Sequence, residues 1–159
     1  MDLSKHRPNV GVVLIREDGL VWLGRRADAP GPLNWQFPQG GVDPGETLEQ
    51  AARRELLEET GVASAELLAR TSDWLAYDFP PGHLRAGRDR RWKGQKQIWF
   101  AFRFSGADSE IDLNRHGDVE FDAWRWTKLN GALDLIVPFK REVYLRVIEA
   151  FGPLTETQA

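Results

Sequence analysis

The chain has 159 residues, 42% of them hydrophobic, and a formal net charge of −3, which predicts a single domain over residues 1–159 with its core at about 8–152. It contains no cysteine, and this excludes disulfides, thiolate metal sites and a cysteine nucleophile. The start, MDLSKHRPNV, lacks the apolar core of a signal peptide, and no run approaches the roughly 20 apolar residues that span a bilayer, so a cytoplasmic enzyme without membrane contact is expected.

Val10 to Ile15 and Val21 to Arg25 are β-rich runs separated by the turn Glu17-Asp18-Gly19, which predicts a hairpin. The connection that follows, ADAPGPLNWQFPQGG, is too rich in proline and glycine for a helix, and its closing glycines let backbone groups approach a ligand closely. Thr47 to Thr60 is predicted to be helical. Ala65 to Trp74, Gln97 to Phe104 and Ala123 to Thr127 alternate as strands do, whereas Phe139 to Phe151 has helical spacing at Val143, Val147, Ile148 and Phe151. Strands flanking one helix, with another helix at the end, indicate an α/β sandwich over a mixed sheet. The tail from Leu154 to Ala159 is expected to fray.

The stretch Gly40 to Val62, GGVDPGETLEQAARRELLEETGV, carries the chemistry. At about 100° per residue, Leu48, Ala51, Ala52 and Leu56 fall on one arc of the helix, and Glu55 and Glu59 project into its middle. Glu58 lies close enough to converge with them. Like charges at these spacings repel, and Glu58 and Glu59 also meet the negative end of the helix dipole just before the cap at Gly61. A solvated acidic helix laced by Arg53 and Arg54 is the plain alternative. A cation held among the acids accounts better for carboxylates placed against local physics, and hard oxygen ligands suit Mg²⁺ or Mn²⁺, which also bind substrate phosphates.

The same segment reads Gly40, Glu46, Arg54-Glu55-Leu56, Glu58-Glu59 and Gly61-Val62 at fixed intervals, and it resembles a complete Nudix box. The resemblance implies an α/β/α sandwich with a mixed β-sheet and a catalytic loop-helix-loop. It implies two or three Mg²⁺ or Mn²⁺ ions on Glu55, Glu58, Glu59 and the Gly40 carbonyl, with Glu46 locking Arg54 to orient the helix. Clustered divalent cations neutralise phosphate oxygens and acidify the attacking water, which is what phosphoryl chemistry needs.

Further segments, Arg7-Pro8-Asn9-Val10-Gly11, Trp35 to Gly41, Gly94-Gln95-Lys96-Gln97, Glu120-Phe121-Asp122 and Phe139-Lys140-Arg141, are similar to those of bacterial RNA pyrophosphohydrolases. The same set is similar to asymmetric diadenosine tetraphosphate hydrolases, toward which Trp74 to Pro81 leans. The substrates implied are 5′-triphosphorylated RNA, losing pyrophosphate or phosphate, or a dinucleoside polyphosphate; a non-catalytic nucleotide-binding module is a distant alternative. By the same resemblance Glu120 is a further metal ligand or base, so that Glu58 or Glu120 takes the proton of the attacking water. Arg7 and Arg26 would meet phosphates, and Phe139 and Lys140 would hold a base by stacking and charge. Gln39, Gln95 and Lys96 complete the expected substrate contacts.

Between Arg85 and Lys96 the segment RAGRDRRWKGQK sets six positive residues against Asp89 alone, a patch that attracts polyphosphate or an RNA end. Of the seven tryptophans, Trp99, Trp124 and Trp126 read as core or sheet-surface residues, while Trp35 and Trp92 sit in loops beside the expected substrate channel, Trp35 as a candidate contact. His6, His83 and His116 show no metal or dyad spacing and read as surface residues.

Overall fold

The computed structural model describes residues 2–29, 31–81, 92–115, 117 and 119–156. Its sheet is built on two long strands, β1 (His6–Ile15) and β7 (Gly94–Phe104), paired in parallel from His6↔Gly94 to Ile15↔Arg103. Around them lie β2 (Val21–Arg26), β3 (Trp35–Gln36), β4 (Gln39–Gly41), β5 (Ala65–Arg70), β6 (Leu75–Asp78) and β8 (Phe121–Thr127), with the path β3-β2-β1-β7-β5. β4 adds to β1, β6 to β7 and β8 to β2, all antiparallel.

Because successive strand residues point to opposite faces, β1 and β7 feed two separate cores. Val10, Val12, Leu14, Ile98, Phe100 and Phe102 pack with Ala51, Ala52 and Leu56 of helix α1 (Leu48–Thr60). Val13, Ile15, Trp99 and Ala101 pack on the other face with Val143, Tyr144, Val147 and Phe151 of helix α2 (Arg141–Phe151). Burial on both faces explains why these strands read as nearly unbroken apolar runs. The expected α/β/α sandwich over a mixed sheet is the observed fold.

α1 is defined at both ends by its own sequence. Thr47 Oγ1 accepts from Gln50 N at 3.1 Å while Gln50 Oε1 accepts from Thr47 N at 2.8 Å, a reciprocal capping box. Gly61, at φ 81°, closes the helix through its N–H to the Leu57 carbonyl at 2.8 Å.

Several boundaries differ from expectation. β1 begins at His6 and β7 at Gly94, both earlier than their apolar runs, because the polar residues there still pair in the ladder. Of the run Ala65 to Trp74 only Ala65–Arg70 is strand, as β5, and the separate strand β6 follows it at Leu75–Asp78, each antiparallel to β7. The Pro/Gly-rich connection holds the short strands β3 and β4, and Pro138–Lys140 is a 3₁₀ turn preceding α2. His6 is buried, with Nε2 2.6 Å from Asp78 Oδ1, correcting its reading as a surface residue; His83 and His116 lie outside the described residues. Of the tail expected to fray, Leu154 and Thr155 belong to a 3₁₀ turn over Gly152–Thr155, with Leu154 packed on the α2 core, and residues 157–159 lie outside the described residues.

The two layers meet at Tyr144, whose buried Oη accepts from Phe37 N at 2.9 Å and whose ring contacts Phe37 and Trp99. Tyr144→Phe keeps the ring and leaves a buried amide without its acceptor. It should cost about 1–3 kcal/mol and lower Tm by roughly 3–10 °C in a circular-dichroism melt.

Candidate functional site

A polar cleft opens at one end of the sheet, where β1, β4, β6, β7 and the turn before α2 come together. Its lining includes Gly40, Glu55, Glu59 and Glu120 on one side and Tyr77, Gln95, Phe139 and Lys140 on the other, with Arg7 and Arg26 also facing it.

The acidic side depends on a glycine. A Cβ on Gly40 would lie 2.0 Å from Glu55 Cδ, so only a bare backbone lets the α1 carboxylate approach β4. A Cβ on Gly41 would lie 2.7 Å from Arg7 Nη2, the far end of a flexible side chain that can give way. Arg54 then ties the loop to the helix. Its Nε and Nη2 donate to Glu46 Oε2 and Oε1 at 2.7 and 3.0 Å, Nη2 to the Gly41 carbonyl at 2.9 Å, and Nη1 to Glu55 Oε1 at 2.7 Å and Glu58 Oε2 at 3.2 Å. The fork geometry of a guanidinium suits this many-sided contact. Hydrogen bonding to Arg54 holds Glu46 below the usual carboxylate range.

Glu59 is the outlier of the site. It is 5% exposed, and its Oε2 has no hydrogen-bond partner among the described residues. Burial first, then the charges of Glu55 and Glu120, push its carboxyl well above the usual range, opposed by the Gln39 backbone N–H that donates to it. Glu55 is raised too, chiefly by burial, with Arg54 opposing. Among the described residues no three acids or histidines already converge as a ligand set, because Arg54 draws Glu55 and Glu58 toward itself. The orphaned Glu59 oxygen, the desolvated and mutually repelling acids and the bare Gly40 backbone fit a hard divalent cation.

Of the residues expected at the site, Arg7, Arg26, Gln39, Gly40, Glu55, Glu59, Gln95, Glu120, Phe139 and Lys140 line this one cleft. Glu58 and Glu46 border it through Arg54. Arg26 is also paired with Asp28, at 3.1 Å. Lys140 is only 5% exposed; its Nζ donates to Gln36 Oε1 at 3.2 Å and Gln39 Oε1 at 3.4 Å and sits over the Tyr77 and Phe139 rings.

Two expected contacts do not reach the lining. Trp35 pairs with Arg25 in β3, and its ring packs under the Arg125 guanidinium at 4.5 Å, while its neighbour Gln36 faces the cleft. Lys96 alternates away from Gln95 and Gln97, so its ammonium rests over Trp74 at 4.8 Å on the α1 side of the sheet. Trp92 is not in the lining either. In the basic patch, Arg85 to Arg91 lie outside the described residues. Conversely, Asn9, Asp28, Gln36, Tyr77 and Phe79 line the cleft without having been singled out for it. Period-two spacing from Arg7 to Asn9, and from Tyr77 to Phe79, was the available signal.

The sequence model of the NUDIX domain matches residues 5–147. An RNA pyrophosphohydrolase of Caulobacter vibrioides is 61% identical over 152 residues, covering 95% of this chain and 88% of that protein. One of Rhodopseudomonas palustris is 49% identical, covering 94% and 93%. Among solved structures, the Escherichia coli dihydroneopterin triphosphate pyrophosphohydrolase aligns with TM-score 0.67 at 23% identity, covering 92% of this chain and 97% of its own. A Caenorhabditis elegans Ap4A hydrolase complex aligns with TM-score 0.61 at 21% identity, covering 91% and 98%; both show likeness of fold. With a domain match over nearly its whole length and such relatives, the chain belongs to the NUDIX family.

Proposed function

We propose that the chain is a metal-dependent RNA 5′ pyrophosphohydrolase that shortens the 5′-triphosphate end of RNA with release of pyrophosphate or phosphate. The observation that carries the chemistry is Glu59, a buried carboxylate with an orphaned oxygen beside Glu55 and Glu120 and across the cleft from basic side chains. Support for the substrate comes from the relatives named RNA pyrophosphohydrolase, 46–61% identical over nearly all of this chain. A cytoplasmic location and one catalytic domain over residues 1–159 belong to the same proposal. Among the described residues no helix is long and apolar enough to cross a membrane.

In this reading Glu55, Glu58, Glu59, Glu120 and the Gly40 carbonyl hold two or three Mg²⁺ or Mn²⁺ ions. When bound, such ions neutralise the non-bridging oxygens and lower the pKa of the attacking water. Arg54, locked by Glu46, holds the acids in place. Glu120 accepts the proton of the attacking water, because it lines the cleft whereas Glu58 is turned to Arg54. Arg7 and Arg26 meet the polyphosphate, and Phe139 and Lys140 hold a base. Hydrolysis of a dinucleoside polyphosphate is the second reading, favoured by the aromatic cluster of Tyr77 with Phe139 and Phe79 at 5.6 and 6.1 Å, which offers ring faces to a second base.

With Mg²⁺ and at matched concentrations, a 5′-triphosphorylated oligonucleotide should be turned over with higher kcat/KM than diadenosine tetraphosphate, and EDTA should abolish both; the reverse preference selects the second reading. Hydrolysis of neither would remove the catalytic proposal.

Glu59→Gln should lower kcat by roughly 10²–10⁴-fold. Its effect on stability runs the other way. Burial raises the folded-state pKa of Glu59, so the folded protein binds that proton more tightly than the unfolded chain, and stability is lost as pH rises above the ordinary 4.5. In EDTA, Glu59→Gln should therefore melt higher than the parent protein at pH 8, and the gap should close toward pH 4.

A further inference from the structure

The floor of the cleft is made of side-chain amides, Asn9, Gln36, Gln39 and Gln95, with Gln97 buried behind them. An amide has an acceptor at one end and donors at the other, and its partners decide which end faces out. Two partners here can only donate: the Trp99 indole and the Lys140 ammonium.

Trp99 Nε1 donates to Gln97 Oε1 at 3.1 Å, which leaves Gln97 Nε2 to donate to Asn9 Oδ1 at 2.8 Å and to Gln39 Oε1 at 3.3 Å. Lys140 Nζ claims the same Gln39 oxygen at 3.4 Å and the Gln36 oxygen at 3.2 Å. Gln39 Nε2 is thereby turned to Gln95 Oε1 at 3.4 Å, an oxygen that also accepts from the Tyr77 hydroxyl. The oxygens of Asn9, Gln36, Gln39, Gln95 and Gln97 are all engaged in this way. Among the described residues, the amide hydrogens left over on Asn9, Gln36 and Gln95 meet no protein acceptor.

We propose that Gln97, oriented by Trp99, is a positioning residue that turns these oxygens inward, so that the cleft floor offers N–H donors alone and binds acceptor atoms of the ligand. Such acceptors are the non-bridging oxygens of a polyphosphate or the oxo and ring-nitrogen edge of a base. The proposal rests on the cleft being the nucleotide site. Gln97 itself does not line the cleft and acts through Asn9 and Gln39.

The test uses the full chain with Gln97→Glu and Gln97→Met. Glutamate keeps the acceptor for Trp99 and loses both donors, so Asn9 turns its nitrogen inward and its oxygen to the cleft; methionine removes the polarity without adding charge. Binding of inorganic tripolyphosphate, inosine triphosphate and adenosine triphosphate is measured by calorimetry in EDTA. If the floor holds phosphate oxygens, all three should weaken, by about tenfold in Gln97→Glu and about threefold in Gln97→Met. If it holds the base edge, tripolyphosphate should be unchanged while the preference for inosine over adenosine triphosphate falls by those factors. In turnover, KM should rise by the same factor with kcat within twofold, a split that a packing defect alone does not produce. Affinities within twofold of the parent in both variants, or a change in Gln97→Glu only, would overturn the proposal. Because binding is read without turnover, failure to hydrolyse any nucleotide would defeat the proposed function and leave this result legible.

Discussion

The architecture of the site turns on keeping the carboxylate of Glu59 out of water. An ionised carboxylate buried without compensation is strongly unfavourable, and here the Gln39 backbone N–H is set against the repulsion of Glu55 and Glu120, while Oε2 has no partner among the described residues. The fold tolerates this because α1 is fixed by other means: the Thr47 capping box, the Gly61 cap, the packing of Ala51, Ala52 and Leu56, and the Arg54 clamp. Stabilisation supplied around the helix holds strained charge at its C-terminal end, as is common where chemistry requires a preorganised anion.

The parallel pair of β1 and β7 sets where that charge can act. Its central residues fill two cores, but at one end Arg7, Asn9, Gln95 and Gln97 replace the apolar pattern on the face toward α2. β4, pressed against the same end of β1, brings Gln39 and Gly40 to the junction. The cleft is thus the place where a two-sided apolar sheet turns polar.

Helical periodicity made the acidic half legible. Glu55 and Glu59 fall on the apolar arc of α1, and one turn of reasoning about repulsion and the dipole suffices to ask for a cation. Arg54 with Glu46, nine residues of loop and helix that fold locally, was equally accessible through the box pattern. The donor half was harder because its residues come from four separated strands, and their facing depends on register. Reading Gln95 and Lys96 together hid the alternation that sends one to the cleft and the other to Trp74. Pro8 and the polar residues around it concealed the first turns of β1, and the short β3 and β4 lay within a Pro/Gly-rich connection whose strand pairing no local signal announces. His6 looked like a surface residue for the same reason: its partner Asp78 is far away in sequence.

Gln39 joins the two halves. Its backbone N–H donates to Glu59, while its side-chain oxygen accepts from Gln97 and Lys140 and its nitrogen donates to Gln95. One residue of a three-residue strand therefore holds both the buried carboxyl and the amide floor. Gly40, the next residue of the same strand, sets its bare backbone against Glu55. Holding both halves from one short strand is what occupies a buried lysine and the buried amides of Asn9, Gln36 and Gln97 where an apolar core would be simpler to fold.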